Sequence, residues 1–237
     1  MSRVPVLEIF GPTIQGEGAA IGMKTMFVRT AGCDYSCSWC DSAFTWDGSA
    51  KDQIRMLTPQ EIVLELDSLA ANNYSMVTIS GGNPALISEP MEKLIDLLRD
   101  RQVNIAVETQ GTRWQNWFNK VNILTISPKP PSSGMDTDWG KLEHILAHSK
   151  DPLISLKVVV FNDEDFLYAK QVHQKYPKIP FYVQVGNEDV TEEGDISGRL
   201  LKGLEWLFQK VIDDPEMNEV RVLPQLHALI WHNKRGK

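Results

Sequence analysis

The sequence predicts an α/β fold in which about six strand–helix units form a partial, open (β/α)6-type barrel. Short apolar runs alternate with amphipathic stretches along the whole chain of 237 residues. No internal repeat or low-complexity linker interrupts the alternation, and a hydrophobic content of 42% can fill one sizeable core. We therefore expect a single domain over residues 1–237, with an open doubly wound sheet as the alternative architecture.

Eight runs have the length and the β-branched or aromatic content of strands. They cover residues 6–10, 25–30, 75–80, 104–108, 123–127, 154–160, 181–185 and 220–223. Because helical stretches separate most of them, we expect parallel strands joined by right-handed crossovers.

The clearest helix begins after Thr58, which has the position of an N-cap, with Pro59 as the first helical residue and Glu61 completing a capping box. The apolar residues expected on its buried face are Ile62, Val63, Leu66, Leu69 and Ala70. Further helices are predicted at residues 90–101, 139–148, 163–176 and 199–212.

In either architecture the active site lies at the carboxyl ends of the parallel strands. The segments that follow predicted strands include AGCDYSCSWCDS, SGGNP, ETQGT, SPKPP and LPQLH. All are polar or rich in Gly and Pro, so we expect the functional residues among them.

Charge and hydropathy exclude several classes of protein. With 31 acidic and 24 basic residues the net charge is −7, which argues against direct binding of nucleic acid. The first residues, MSRVPVLEIF, lack the apolar segment of a secretion signal, and no run of about eighteen apolar residues predicts a membrane span. We expect a cytoplasmic protein without membrane contact.

All three cysteines, Cys33, Cys37 and Cys40, lie in the stretch CDYSCSWC. An odd number at this spacing is no disulfide framework, whereas C-x3-C-x2-C suits three corners of a four-iron four-sulfur cluster. Because the chain has no fourth cysteine, one iron is left open for a cofactor. The alternative is a Cys3His zinc site. Its imidazole would come from one of five histidines, which are His144, His148, His173, His227 and His232.

The same motif, placed after a strand and with Trp39 before the last cysteine, resembles the signature of the radical S-adenosylmethionine (SAM) superfamily. The resemblance implies that the open iron binds SAM, which is cleaved to a 5′-deoxyadenosyl radical. Trp39 and Cys40 would border this cofactor. Gly82 would approach it through its backbone, since the segment from Gly81 resembles the superfamily's Gly-Gly-Glu, although Asn83 stands where many relatives have Glu. Glu108, Ser127 and Lys129 follow successive strands and are further SAM candidates.

Seven other motifs resemble the 7-carboxy-7-deazaguanine synthases of this superfamily. They are EIFGPTIQGEGAAIG, FVRTAGC, CDSAFTWDG, ISGGNPAL, VETQGT, ISPKPP and RVLPQLHALIW. The resemblance implies conversion of 6-carboxy-5,6,7,8-tetrahydropterin to 7-carboxy-7-deazaguanine, started at substrate C6, with SAM regenerated. It also implies a flavodoxin- or ferredoxin-type reductant and a homodimer.

Substrate residues follow from this assignment. Glu17 and Gln15, within residues 14–17, suit the guanidine-like edge of a pterin, and Arg29 suits its carboxylate. The complete set of substrate candidates is Ile14, Gln15, Gly16, Glu17, Arg29, Ser80, Gln225 and His227. Ser42 resembles the position at which relatives place a hydroxyl ligand, usually Thr, for Mg²⁺.

Two other functions remain open at this point. A glycyl-radical activase shares C-x3-C-x2-C and a small size, although GPTIQGEG and LPQLH speak against it. A non-enzymatic iron–sulfur or zinc module would cleave no SAM and would not need the polar strand ends.

Overall fold

The computed structural model describes residues 2–71 and 73–237, so Met1 and Asn72 of the predicted domain lie outside the described residues. One sheet contains nine strands of the described residues. They are β1 Val4–Ile14, β2 Lys24–Thr30, β3 Arg55–Leu57, β4 Met76–Gly81, β5 Asn104–Thr109, β6 Ile123–Ile126, β7 Leu153–Val160, β8 Phe181–Val185 and β9 Val220–Leu223. Their order is β3-β1-β2-β4-β5-β6-β7-β8-β9.

Six α-helices occur among the described residues, and the first five share one apolar core with the sheet. They are α1 Pro59–Ala70, α2 Glu89–Asp100, α3 Trp139–His148, α4 Asp163–Lys175, α5 Ser197–Ile212 and α6 Leu226–Trp231. Within the described residues none of them is long and apolar enough to cross a membrane.

The open α/β architecture is confirmed, since β2 and β4 to β9 pair in parallel with their neighbours in the sheet, and the two edge strands, β3 and β9, do not pair with each other. Strand β1 differs from a uniformly parallel arrangement because it pairs antiparallel with β2. Strand β3 and helix α6 were not predicted from the sequence. The three residues of β3 are largely exposed, so they carry no apolar alternation to detect.

The N-terminus of α1 has the predicted capping box. Thr58 Oγ1 accepts from Glu61 N at 3.2 Å, and Thr58 N donates to Glu61 Oε2 at 2.7 Å. Ile62, Val63, Leu66 and Ala70 are buried as expected, but Leu69 is 48% exposed. The prediction that Leu69 lies on the buried face of α1 is therefore wrong, because the other four apolar residues already fill the contact between this helix and the sheet.

Alternation along the strands separates an apolar face from a polar one. Val77, Val107 and Val158 belong to the main core, where they pack with apolar residues of the helices. On the opposite face Thr78 is buried against Thr25 and bonds to it at 2.9 Å. The core thus lies between sheet and helices, and the other face is left for polar groups.

The loop after β1 lies against this polar face. Ala20 packs with Met76, Ala106 and Ile123, which are near the amino ends of three successive strands. Because β1 runs antiparallel, the chain reaches the face from the end opposite to the predicted active site. Residues 15–20, here called the β1 loop, form the bottom of a cleft whose walls are the parallel strands.

Candidate functional site

The cleft on the polar face has a volume of about 1310 Å³ when its solvent-filled mouth is included. Every site residue predicted from the sequence borders it. These are Ile14, Gln15, Gly16, Glu17, Arg29, Cys33, Cys37, Trp39, Cys40, Ser42, Ser80, Gly82, Glu108, Ser127, Lys129, Gln225 and His227. Their roles toward a ligand remain predictions.

The three cysteines are free thiols at the mouth of the cleft. Burial raises the pKa of each thiol, and that of Cys37 to about 11. Gln110 Nε2 lies 3.4 Å from Cys33 Sγ, and Trp46 Nε1 lies 3.4 Å from Cys40 Sγ. N–H donors beside the sulfurs suit the thiolate ligands of an iron–sulfur cluster.

Spacing of the thiols disfavours the zinc alternative. A tetrahedral zinc ion with bonds of about 2.3 Å holds its sulfurs about 3.8 Å apart. Among residues 2–71 and 73–237 the one group of three metal-ligating side chains within 4.8 Å of each other is Glu17, Asp41 and His227. The cysteines therefore do not converge on a single ion, whereas a cubane needs its three ligands farther apart.

Asn83 is fully buried and connects the loop that carries the cysteines to the ends of β4 and β5. Its Nδ2 donates to Asp34 Oδ1 at 2.9 Å and to Thr112 Oγ1 at 3.0 Å, while its Oδ1 accepts from Thr109 Oγ1 at 2.8 Å. An amide can make all these bonds, whereas a Glu would oppose the Asp34 carboxylate. Asn83 here positions the loop that carries the cysteines.

Gly82 is required for a reason that differs from the expected one. A Cβ at this position would lie 2.0 Å from Gly32 O and 3.1 Å from Cys33 N. The end of β4 therefore packs directly on the backbone before the first cysteine. The glycine is explained by this contact without any ligand, and its proximity to SAM remains a prediction.

Aromatic and basic groups meet beside the cysteines. The Trp39 ring lies 5.0 Å from that of Phe161, and its Nε1 donates to Ser132 Oγ at 2.9 Å. Lys129 Nζ is 5.8 Å from the centre of the Trp39 ring and donates to Ser127 Oγ at 3.1 Å. This side of the cleft offers a flat apolar wall with a cation, which fits a nucleoside with a carboxylate.

At the bottom of the cleft the half-buried Glu17 forms an ion pair with the buried Lys157 of β7. Burial alone would raise the pKa of Glu17, but the positive charge of Lys157, the electrostatic effect of the nearby His227 ring, and hydrogen bonds from Lys157 and Gln225 hold it well below its usual range. Glu17 is thus a carboxylate, and its Oε1 accepts from Gln225 Nε2 at 2.9 Å.

Glu108 lies beside this pair and accepts from Gln15 Nε2 at 3.0 Å. Its pKa is raised, mainly by burial and further by the charge of Glu17, although Lys157 opposes the shift. The pKa of Lys157 is raised because the attraction of Glu17 and Glu108 outweighs burial, which would lower it. One buried cation therefore serves two carboxyl groups at the bottom of the cleft.

Arg29 lies on the wall formed by β2, on the same strand face as Phe27, as alternation predicted. Arg29 has an anionic partner within the protein, and its role toward a substrate carboxylate stays a prediction. Its Nε donates to Glu8 Oε1 at 2.6 Å, and its Nη1 donates to Ser42 Oγ at 2.9 Å. Glu8 neutralises the charge because β1 and β2 bring the two side chains into register.

Lys157, Asn187, Gln110, Phe161 and Asp41 border the cleft but were not among the predicted site residues. Lys157 carried a usable signal, since it is the one charged residue in the apolar run LISLKVVV. Asn187 and Phe161 follow β8 and β7, whose ends are not among the polar strand-end segments named above.

The chain shows clear similarity to known proteins. Residues 27–126 match the Radical SAM superfamily. A 7-carboxy-7-deazaguanine synthase of Bacillus cereus is 57% identical over 238 residues, which cover 100% of both chains. Another, of Bacillus subtilis, is 59% identical over 239 residues and covers 98% of each chain. The chain belongs to the 7-carboxy-7-deazaguanine synthase family.

The crystal structure of QueE from Escherichia coli shares the fold of this family member, with a TM-score of 0.70, 20% identity and 95% of each chain covered. Family membership confirms the assignment made from CDYSCSWC and the flanking motifs, and decides against the activase and the non-enzymatic module. Radical SAM enzymes use a four-iron four-sulfur cluster and SAM, which the three thiols and the wall beside them fit.

Proposed function

We propose that the protein is a carbon–nitrogen lyase that converts 6-carboxy-5,6,7,8-tetrahydropterin to 7-carboxy-7-deazaguanine, with ring contraction and loss of ammonia. The product would enter the biosynthesis of queuosine or another 7-deazapurine, and tRNA would be modified downstream. The observation that carries the proposal is the half-buried Glu17, paired with Lys157 and beside a hydrogen-bond acceptor on Gln225, at the bottom of the cleft that holds the cysteines.

These groups complement a pterin. Its amino and ring N–H groups donate, so they suit the carboxylate oxygens of Glu17. Gln225 Oε1 is buried and has no hydrogen-bond partner among the described residues, which makes it a second acceptor in the same place. Arg29, on the adjacent wall, retains N–H groups that can bind the substrate carboxylate.

The cofactor would lie between this substrate and the cysteines. Trp39, Ser127 and Lys129 supply the aromatic wall and the cation for SAM, with Gly82, Glu108 and Cys40 nearby. When bound, the cluster and SAM would supply a 5′-deoxyadenosyl radical. The buried walls of the cleft keep water from the substrate, and the fixed carboxylate of Glu17 orients it for attack at C6.

Ser42 fits a magnesium ion chemically. Its hydroxyl accepts from Arg29 and donates to Asp41 Oδ1 at 2.9 Å, which leaves one lone pair for a metal. Together with Asp41 it offers hard oxygen ligands, the kind that Mg²⁺ prefers. The substrate's own oxygens would complete the shell together with water.

Other features of the proposal rest on family resemblance. They are a homodimer, a flavodoxin- or ferredoxin-type reductant, a cytoplasmic location and a single domain over residues 1–237. The net charge of −7 supports the absence of direct nucleic-acid binding.

The test is anaerobic incubation of the reconstituted protein with SAM, reductant, Mg²⁺ and the carboxypterin, followed by mass spectrometry. We expect 7-carboxy-7-deazaguanine to form without net consumption of SAM. The Cys37→Ala variant is the control, since it removes one cluster ligand and should stop turnover. SAM cleavage without deazaguanine formation would overturn the proposed substrate but leave the radical chemistry in place.

A further inference from the structure

The C-terminal segment, residues 232–237, connects elements from opposite ends of the open sheet. Asn233 Nδ2 donates to Glu192 O at 2.7 Å, and Asn233 Oδ1 accepts from Asn187 Nδ2 at 2.8 Å, both in the loop after β8. Two residues later Arg235 Nε donates to Glu8 Oε2 of β1 at 2.9 Å. Lys237 itself borders the cleft. The end of the chain is thus held on both sides of the site.

Glu8 is shared between this segment and the cleft wall. Its Oε1 accepts from Arg29 at 2.6 Å and its Oε2 from Arg235, so the carboxylate gives one oxygen to each guanidinium. The Glu8 side chain is only 17% exposed, and it does not border the cleft. It therefore acts on the site only through Arg29.

Arg235 is fixed in this position although its side chain is partly exposed. Its Cζ lies 4.0 Å from the centre of the Phe44 ring, and its Nη2 donates to Gln53 Oε1 at 3.2 Å. The cation–π contact and the two hydrogen bonds hold the guanidinium in one plane, aimed at Glu8 Oε2.

The number of free N–H groups on Arg29 depends on how Glu8 divides its two oxygens between Arg29 and Arg235. A guanidinium has five N–H groups. One goes to Glu8 and one to Ser42, and the remaining three have no partner among the described residues. A carboxylate with both oxygens free prefers two parallel bonds to a guanidinium. Without Arg235, Glu8 would take a second N–H of Arg29.

We propose that Arg235 is a positioning residue that occupies Glu8 Oε2 and thereby keeps the remaining N–H groups of Arg29 available for the substrate carboxylate. The inference rests on the proposed function, because it assumes that Arg29 binds a carboxylate. Arg235 would thus affect substrate recognition without contacting the substrate.

The test compares Arg235→Ala with Lys234→Ala in the reconstituted holoenzyme. Lys234 is exposed in the same segment and does not border the cleft, so it is a matched control. We expect Arg235→Ala to raise KM for the carboxypterin about tenfold, with kcat nearly unchanged. The inhibition constant of a tetrahydropterin that lacks the carboxylate should not change. Arg235→Lys, which restores a cation near Oε2, should recover part of the loss.

The Glu8→Gln variant distinguishes this role from one in which the C-terminal segment merely covers the cleft. In Glu8→Gln the amide cannot accept two bonds from Arg29, so adding Arg235→Ala should cause no further rise in KM. A rise that persists in the double variant, or that is equal for the analogue without the carboxylate, would overturn the inference. Such a result would mean that the C-terminal segment only covers the cleft and does not act on Arg29.

A structural readout makes the test independent of turnover. The crystal structure of Arg235→Ala should show both Glu8 oxygens bonded to Arg29, through Nε and Nη2. A Glu8 that keeps a single bond to Arg29 overturns the inference. Wild-type protein that does not turn over the carboxypterin contradicts the proposed function instead, so the two failures are distinguishable.

Discussion

At the scale of single residues, Lys157 is the side chain on which the site depends most. It is 6% exposed and faces the carboxyl groups of Glu17 and Glu108. Removing one partner of a buried ion pair is strongly destabilising, because the other charge stays buried without compensation. Lys157 therefore both stabilises the cleft and lowers the pKa of Glu17.

We expect Lys157→Met to lower the free energy of unfolding by about 3–5 kcal/mol. The measurement is urea unfolding followed by circular dichroism. Lys170→Met is the control, because Lys170 pairs with Asp214 and Glu216 near the surface and should lose far less. Equal losses in the two variants would show that Glu17 and Glu108 do not depend on Lys157.

Ser42 gives a second prediction at this scale. If its hydroxyl binds Mg²⁺, Ser42→Ala should raise the Mg²⁺ concentration for half-maximal activity about tenfold or more. Ser42→Thr keeps the oxygen and should retain the response. A magnesium titration of product formation measures both. The same midpoint in all three proteins would remove Ser42 from the metal site.

At the scale of secondary-structure elements, α4 packs on β8 through His173. Its ring is buried and stacks on Phe181 at 5.3 Å between centres. Nδ1 has no hydrogen-bond partner among the described residues. Burial lowers the pKa of His173, and Glu219 offsets only part of the shift. The helix therefore packs well only while this imidazole is neutral.

A pH dependence of stability follows from this packing. The unfolded chain, with a histidine pKa of about 6.5, binds a proton that the native His173 resists. The contribution of His173 to stability is therefore lost as the pH falls through about 6.5. When the pH falls from about 7.5 to about 5.5, we expect the free energy of unfolding to decrease less for His173→Phe than for the wild type. Urea unfolding at both values measures this.

The control for this prediction is His144→Gln, which changes an exposed histidine on α3. It should keep the pH dependence of the wild type. If His173→Phe shows the wild-type dependence as well, protonation of His173 is not the cause.

At the scale of the whole molecule, the N-terminal and C-terminal parts of the chain meet in the cleft. Leu226 N donates to Gly16 O at 3.0 Å, so the start of α6 docks on the β1 loop. A Cβ on Gly16 would lie 2.4 Å from His227 Nδ1 and 2.7 Å from His227 N. Because one of these atoms is backbone, α6 would have to move to make room.

We therefore expect Gly16→Ala to weaken carboxypterin binding about tenfold or more, since Gln225 and His227 would shift, while SAM binding stays close to normal. Gly198→Ala is the control, because a Cβ at that position in α5 meets nothing within 4 Å. Anaerobic titrations with each ligand measure the two affinities. An unchanged carboxypterin affinity would mean that α6 does not form part of the substrate site.

The sequence by itself determined the features that depend on neighbours along the chain. The three cysteines occur within eight residues, the capping box of α1 spans four, and the strands are apolar runs bounded by polar turns. The open α/β fold followed from their alternation, and the strand-end segments supplied most of the residues that border the cleft.

Only the tertiary structure decided which charged and polar groups face each other. Glu17 and Lys157 are 140 residues apart, Asn83 and Asp34 are 49 apart, and Glu8 and Arg235 are 227 apart. No local pattern encodes such pairs, because each depends on the strand order and on the antiparallel direction of β1. Burial makes these partners necessary, since an unpaired charge in the cleft would cost more than the fold can offset.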